Sequence, residues 1–465
     1  MRCQGLLAHG VGQVAQVIER YRLCQHVADL FEQRHATLEA QGGRVVPFAH
    51  GVHAGQRVER VGQFGLLRQL RERGYGYLVR RLGLLFACKN SSGKNISHEP
   101  DYTIATFYWP AYHYEPRAEF LFPEKMGEWE IIYKSQPKED GHQQPKIPLW
   151  GYTNEADPED MNKKIETAIS YGVNTFIFDW YWYEGEPFLE SCINDGFLKA
   201  NNSRMNFYLM WANHDATTYW DVDNPKIDSV MWDGEVDREQ FNIVVDRVIN
   251  KYFKAPSYLK IDGEPVFSIY ELNTLINGLG GAEQTKDALE YFTQKTKDAG
   301  FPGLHLQSIL WDALPGTIEG VPGDTIKSQN EVLEYFGFKS LTNYCWAHLK
   351  NPDGDYEVWG DSSTDMWEKF HNNFSMTYFP NVTISWDANP RFTFFKAGYI
   401  NNSTPQKFEN YLIKAKDHID KYNIEPKIIT INAWNEWSEG SYLEPDSIWE
   451  YQYLDAVHNV FGTTN

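Results

Sequence analysis

The chain reads as α/β, a (β/α)8 TIM barrel, and three observations predict it. From Tyr102 onward, eight short apolar runs recur, each followed by a loop and usually by a charged segment of helical period. The runs are rich in β-branched and aromatic residues, as strands buried on both faces are. Polar and aromatic residues gather where each run stops, the end at which such barrels place their chemistry.

In chain order the predicted strands are Thr103 to Trp109, Thr175 to Trp182, Asn206 to Asn213, Pro265 to Glu271, Leu304 to Leu310, Ser340 to Tyr344, Val382 to Ala388 and Lys427 to Ala433. Between them, Asp157 to Gly172, Val236 to Phe253, Gln284 to Gly300 and Pro405 to Tyr422 read as amphipathic helices, several opening with acids and closing at Gly or Asn.

The strand ends supply the candidate binding residues. Strand one ends in Tyr108 and Trp109, strand two in Asp179 and Trp180, and strand three in Trp211, Asn213 and His214. Tyr270 closes the fourth; Trp311 and Asp312 follow the fifth; Asn343, Tyr344 and Trp346 end the sixth, and Trp386 and Asp387 the seventh. One such residue is usually a packing ring or a loop cap, but recurrence at strand after strand describes a cleft. Rings with Asn and Asp, and no basic cluster, suit stacking on sugars and hydrogen bonding to hydroxyls.

Strand eight carries the sharpest signal. After the apolar run Lys427 to Ile431 come Trp434, Asn435, Glu436, Trp437, Ser438, Glu439, Gly440 and Tyr442. Glu436 and Glu439 fall in the loop or first helical turn, where residues three apart lie roughly 5–6 Å apart at Cβ. Both carboxylates can then face one ligand. Cleaving a glycosidic bond requires a proton for the leaving oxygen and a second group as base or nucleophile, a division that two unlike carboxyl environments provide. Trp434, Trp437 and Tyr442 offer apolar faces and a drier setting that raises a carboxyl pKa. The competing reading is a surface helix start whose acids meet the helix dipole.

Composition bounds the partners. The 465 residues carry a net charge of −20 and 15% aromatics, which disfavours nucleic acid and favours a neutral, ring-bearing substrate. Cys3, Cys24, Cys88, Cys192 and Cys345 have neither metal-ligand nor disulfide-framework spacing, and no metal or cofactor is expected. Asn351, Asp353 and Asp355 alternate like a calcium loop, but with the glycine misplaced and no glutamate in register they read as a solvated turn. The sequence has no run of about 18 apolar residues, and the chain is expected to be monomeric.

A seam divides the chain near residue 88. Residues 1–88 hold twelve arginines against six acids and no Lys, Ser, Asn or Trp, whereas 89–465 hold 31 basic and 57 acidic residues. The acidic surface therefore belongs to the second part. We expect 1–88 to lie outside the fold as a mis-assigned start, 89–101 to be a polar tether and 102–465 to be the catalytic domain; a basic helical module over Val14 to Leu38 is the alternative. Leu84-Leu85-Phe86-Ala87-Cys88 followed by Lys89-Asn90-Ser91-Ser92-Gly93 resembles the end of a bacterial lipoprotein signal, with Cys88 acylated and the protein attached to a membrane in the cell envelope. An ordinary buried cysteine is the other reading, and a cytoplasmic location stays open.

Ala433 to Gly440 with Tyr442-Leu443-Glu444-Pro445 resembles the signature of WbsX-type proteins, relatives of glycoside hydrolase family 99, the endo-α-mannosidases. In the same order, Ala105 to Pro110, Gln144 to Leu149, Phe178 to Trp182, Met210 to Asn213, Ile261 to Phe267 and Ser385 to Arg391 look like that group's other motifs, over about residues 102 to 450. The resemblance implies a metal-free retaining glycosidase on an α-linked glycan. It implies that Glu436 draws the proton from the sugar's 2-hydroxyl, giving an anhydro-sugar intermediate, and that Glu439 is the acid/base, ionised and protonated respectively at rest. Tyr112-His113 after strand one, and His214-Asp215 with Tyr219-Trp220-Asp221 after strand three, depart from the family's pattern, so mannose specificity is not carried over. Rival functions are a glycosyltransferase in polysaccharide assembly and a non-catalytic glycan-binding barrel. A chain beginning at Asn90 is expected to fold and act like the full-length protein; circular dichroism and glycan cleavage check this, and an aggregated or inactive product would contradict it.

Overall fold

Eight parallel strands close on themselves between residues 103 and 432. They are Thr103–Tyr108, Thr175–Tyr183, Asn206–Trp211, Glu264–Ile269, His305–Ile309, Ser340–Thr342, a seventh in two pieces, Thr377–Tyr378 and Asn381–Thr383, and Ile428–Asn432. This computed structural model describes residues 101–223, 229–311, 314–317 and 326–462. The Arg-rich extension 1–88, the acylation motif at Cys88, the tether up to residue 100 and Asp312 lie outside the described residues.

The seventh strand closes the barrel and corrects one expectation. Its first piece pairs with the sixth strand and its second with the eighth. Phe379 and Pro380 stand between them: Phe379 N–H donates to Leu341 O (2.8 Å), and Pro380 O accepts from Thr430 N–H (3.0 Å). A proline cannot donate to a ladder, so a reading by sequence starts the run after it, at Val382. The strand in fact starts five residues earlier, and Pro380 sits where the chain changes neighbours. The other seven strands lie where they were expected, with end shifts of one or two residues.

Helices cover the outside. Asp157 accepts from the backbone N–H groups of Glu159 and Asp160 to start Pro158–Ser170, with Pro158 at a position that needs no N–H donor. Thr404 and Pro405 repeat this device for Pro405–Tyr422, which ends at Asn423 in the left-handed region. Arg238–Val248 and Ala282–Asp298 complete the four helices anticipated. Tyr356–Asn373 was not anticipated. Its buried stripe of Tyr356, Trp359, Gly360, Ser363, Thr364, Trp367 and Phe370 has helical spacing, but the small and polar members hide it from a hydrophobicity reading. After strand two the chain makes two short turns, Cys192–Gly196 and Phe197–Lys199, in place of a regular α-helix.

A buried ionic network ties the first helix to the end of strand eight. Lys164 Nζ lies 2.9 Å from Glu155 and 2.6 Å from Glu444, all three out of solvent. Burial works against the ammonium charge, but the two glutamates outweigh it and raise the Lys164 pKa. Glu444 accepts from the indoles of Trp434 (3.0 Å) and Trp437 (2.8 Å), and Glu155 from Tyr108 Oη (2.9 Å) and Asn435 Nδ2 (2.6 Å). Replacing Lys164 by Met leaves two buried acids without their cation, and a loss of about 3–5 kcal/mol is expected in urea unfolding. A change under about 1 kcal/mol, the range of an exposed pair, would show that the network does not hold this end of the barrel.

Candidate active site

The strand-eight carboxyls sit on a small hairpin. Asn435–Glu436 pairs antiparallel with Ser441–Tyr442 around the turn Trp437–Glu439, and Gly440 closes the turn at φ 68°. A Cβ at Gly440 would stand 2.9 Å from that of Asp387, so only glycine fits. Asn435 fastens this hairpin to the first loop by exchanging hydrogen bonds with the Trp109 backbone, 2.8 Å to its N–H and 2.7 Å to its carbonyl. The two glutamates are thus held on a rigid support rather than on a helix start.

Both face a cavity of about 540 Å³ at the C-terminal end of the barrel. Of the sequence-predicted residues, Trp109, Asp179, His214, Tyr270, Trp311, Tyr344, Trp386, Glu436 and Glu439 line it together. Its walls are largely aromatic. Trp109, Tyr181 and Trp220 pack with centroids 5.6–6.0 Å apart, and Trp311 stacks on His348 at 4.7 Å. Burial lowers the His348 pKa to about 4, so that ring is neutral and adds a flat face.

The remaining candidates lie elsewhere, for reasons of pleat and packing. Side chains alternate along a strand, so Asp179 points inward while Trp180 points out and donates to Glu190 (2.9 Å). Trp211 and Trp346 are buried, against Phe241 and Phe267 and against Tyr356 and Tyr411 respectively. Asn213 clamps the backbone of Glu271 (2.7 and 2.8 Å), and Asn343 donates to Leu310 O (2.6 Å). Tyr108, Trp434, Asn435 and Trp437 support the hairpin from below. Asp387 and Tyr442 line a second cavity.

Arg391 supplies what the strand-end reading overlooked. Its guanidinium reaches Glu128 at 2.8 Å, Glu436 at 3.2 Å and, more loosely, Glu439 at 3.8 Å. Arg391 is close to Glu436 in space but 45 residues away in sequence, and no strand pattern marks it. Tyr344, named at the end of strand six, joins it. Its hydroxyl lies 2.9 Å from Asp179 and 3.3 Å from Glu436. One phenolic proton cannot serve both contacts, and the second is satisfied when one of these carboxyls is itself protonated.

The charge balance points the same way. Glu128, Glu436 and Glu439 meet one guanidinium and Asp179 joins them through Tyr344, so acids outnumber the cation. Burial first, then Glu439, pushes the Glu436 carboxyl well above the usual range, while Arg391 opposes. Burial raises Glu439 to about 7, again against Arg391. Burial likewise raises Asp179, with the Tyr344 bond opposing. The two glutamates differ in surroundings: Glu436 is 3% exposed and touches Arg391, Tyr344 and Ser438, whereas Glu439 is 15% exposed at the cavity wall. The arrangement can hold a proton at Glu439 and exchange it near neutrality.

Comparison with known proteins places the chain. A family model described as glycosyltransferase WbsX matches residues 104–457, most of the chain. The uncharacterized protein WxcX of Xanthomonas campestris pv. campestris (strain B100) is 26% identical over 361 residues, covering 76% of this chain and 49% of that protein. The chain thus spans about half the length of the curated relatives it matches. A solved structure described as a glycoside hydrolase-like protein shares the fold, with TM-score 0.50 and 14% identity over 81% of this chain and 98% of its own. The GH99 endo-alpha-mannosidase from Bacteroides thetaiotaomicron matches with TM-score 0.48 and 14% identity, over 78% of this chain and 96% of its own. By the extent of the family match, the chain belongs to the WbsX glycosyltransferase family.

Proposed function

We propose that this protein is a retaining glycoside hydrolase acting on an α-linked polysaccharide or oligosaccharide. The observation that carries the reading is the pair Glu436 and Glu439 in one aromatic cavity, one gripped by a guanidinium and the other at the cavity wall, where burial raises its carboxyl. Burial and Glu439 raise the Glu436 carboxyl, against the ionised resting state that the resemblance implies, and Arg391 opposes them; in its ionised form Glu436 takes the proton of the sugar's 2-hydroxyl so that this oxygen attacks the anomeric carbon. Glu439 protonates the leaving oxygen and then, as carboxylate, activates the water that opens the anhydro-sugar. Each proton taken up in the first half is returned in the second, and no ester to the protein forms. The α-linkage and the 2-hydroxyl route rest on the motif resemblance; no particular sugar is claimed.

The family's description favours a second reading, a glycosyltransferase. The cavity weighs against it, because among the described residues Arg391 and Lys396 are its only Arg or Lys lining residues and Arg391 is already bonded to Glu128 and Glu436, so a nucleotide diphosphate would find little positive charge to hold it. Glycan cleavage by the purified protein without a sugar nucleotide separates the two.

On a panel of α-linked polysaccharides, Glu439→Gln is expected to lose about 10²- to 10⁴-fold in kcat while still binding glycan. Undiminished cleavage would remove Glu439 from the reaction. Because the acid form of Glu439 protonates the leaving group, kcat/KM should fall as pH rises through about 7. Arg391 lowers the Glu439 pKa, so Arg391→Met should move that alkaline limb to higher pH as well as reduce kcat. An unmoved limb would assign the titration to another group.

A further inference from the structure

A second cavity, of about 420 Å³, opens among the loops that follow strands one, seven and eight. It is back to back with the first. The partition is two backbones thick, with Asp387 N–H donating to Glu439 O at 2.6 Å, and side chains alternate across it. Trp386 and Glu439 face the first cavity, whereas Ser385, Asp387 and Gly440 face the second.

Its polar groups are prepared in an unusual way. Asp387 is fixed by His142 Nε2 and Gln144 Nε2, each at 2.8 Å, and by Asn389. Asp446 is fixed by Tyr442 Oη (2.8 Å) and by the backbone N–H groups of Ile448 (2.9 Å) and Trp449 (2.6 Å). Both acids are satisfied without a lysine. The half-buried Lys146 ammonium, which also lines the cavity, pairs with no acid among the described residues. Burial lowers its pKa and the two aspartates oppose. A cavity that served packing alone would leave no reason to hold an ammonium and two aspartates around an opening with none of them paired to another.

We propose that this second cavity is a glycan-binding site, taking an uncharged sugar unit of the same polymer that the first cavity cleaves. The inference rests on the reading of the first cavity as a glycan site. Trp449, Tyr442 and Tyr453 present ring surface for sugar C–H groups. Lys146 donates to a hydroxyl, and Asp446 Oδ2, which accepts only from Tyr442, accepts from another, while Asp387, with two hydrogen bonds on each oxygen, contributes charge and a fixed wall. Two carboxylates against one ammonium disfavour a uronate or a sugar phosphate. A site across this partition from the reacting carboxyls would hold a long glycan by two points and favour polymers over fragments.

Calorimetric titration of the Glu439→Gln protein with trisaccharides prepared from α-mannan, dextran and pullulan, and with polygalacturonate oligomers as the acidic arm, tests this. Two neutral sugars per chain are expected for at least one probe. Lys146→Met and Trp449→Ala should each weaken the second site at least tenfold with the first unchanged, and Trp311→Ala should weaken the first alone. Matching thermal transitions verify folding, and two separate second-cavity variants guard against loss of one. Binding of one sugar per chain, unaffected by Lys146→Met and Trp449→Ala, would overturn this inference and leave the hydrolase reading standing. Selective binding of the acidic oligomers would overturn the ligand class. Absence of any binding would overturn both this inference and the reading on which it rests.

Discussion

One guanidinium against a crowd of carboxyls is the constraint on which the site depends. Arg391 is buried, bonds Glu128 and Glu436 and stands near Glu439, with Asp179 joined to the group through Tyr344. Buried charges need partners, and a single cation cannot neutralise four acids. The surplus is resolved by protonation. Burial raises the Glu436, Glu439 and Asp179 carboxyls while Arg391 opposes at the two glutamates, which sets unlike environments among neighbouring acids.

Holding those groups close against their repulsion requires a stiff frame. The hairpin that carries Glu436 and Glu439 is bonded to the Trp109 backbone through Asn435 and underpinned by Glu444, Lys164 and Glu155. The residues that look most like sugar-stacking rings in the signature, Trp434 and Trp437, are spent on this frame: both are fully buried and both donate to Glu444. The rings of the cavity come instead from other strand ends, such as Trp311, Tyr344 and Trp220. Precision at the carboxyls is supplied by aromatic residues that never meet the ligand.

The fold was largely legible because the barrel is a repeat of period-two and period-3.6 patterns, and all eight strands follow from it. The seventh was displaced because Pro380 resembles a boundary, although it sits inside the strand at its change of neighbours. Tyr356–Asn373 was hidden because Gly360, Ser363 and Thr364 occupy core positions that hydrophobicity does not mark. At the site, a strand end says which residues reach the rim but not which face each takes; hence Asp179 enters the cavity and its neighbour Trp180 does not. Arg391 stands in the motif segment Ser385 to Arg391, but its contact with Glu128 spans 263 residues and no local pattern marks it. The opposed placement of Trp386 and Asp387 across the partition was likewise beyond a one-dimensional reading.

The central claim is that Glu436 and Glu439 cleave a glycosidic bond with retention, by way of the sugar's own 2-hydroxyl. Proton NMR of the newly formed reducing end during cleavage of an α-linked glycan tests it most directly. With no sugar nucleotide present, the α-anomer is expected to appear first, before mutarotation. Initial release of the β-anomer, or product formation only when a sugar nucleotide is supplied, would contradict it.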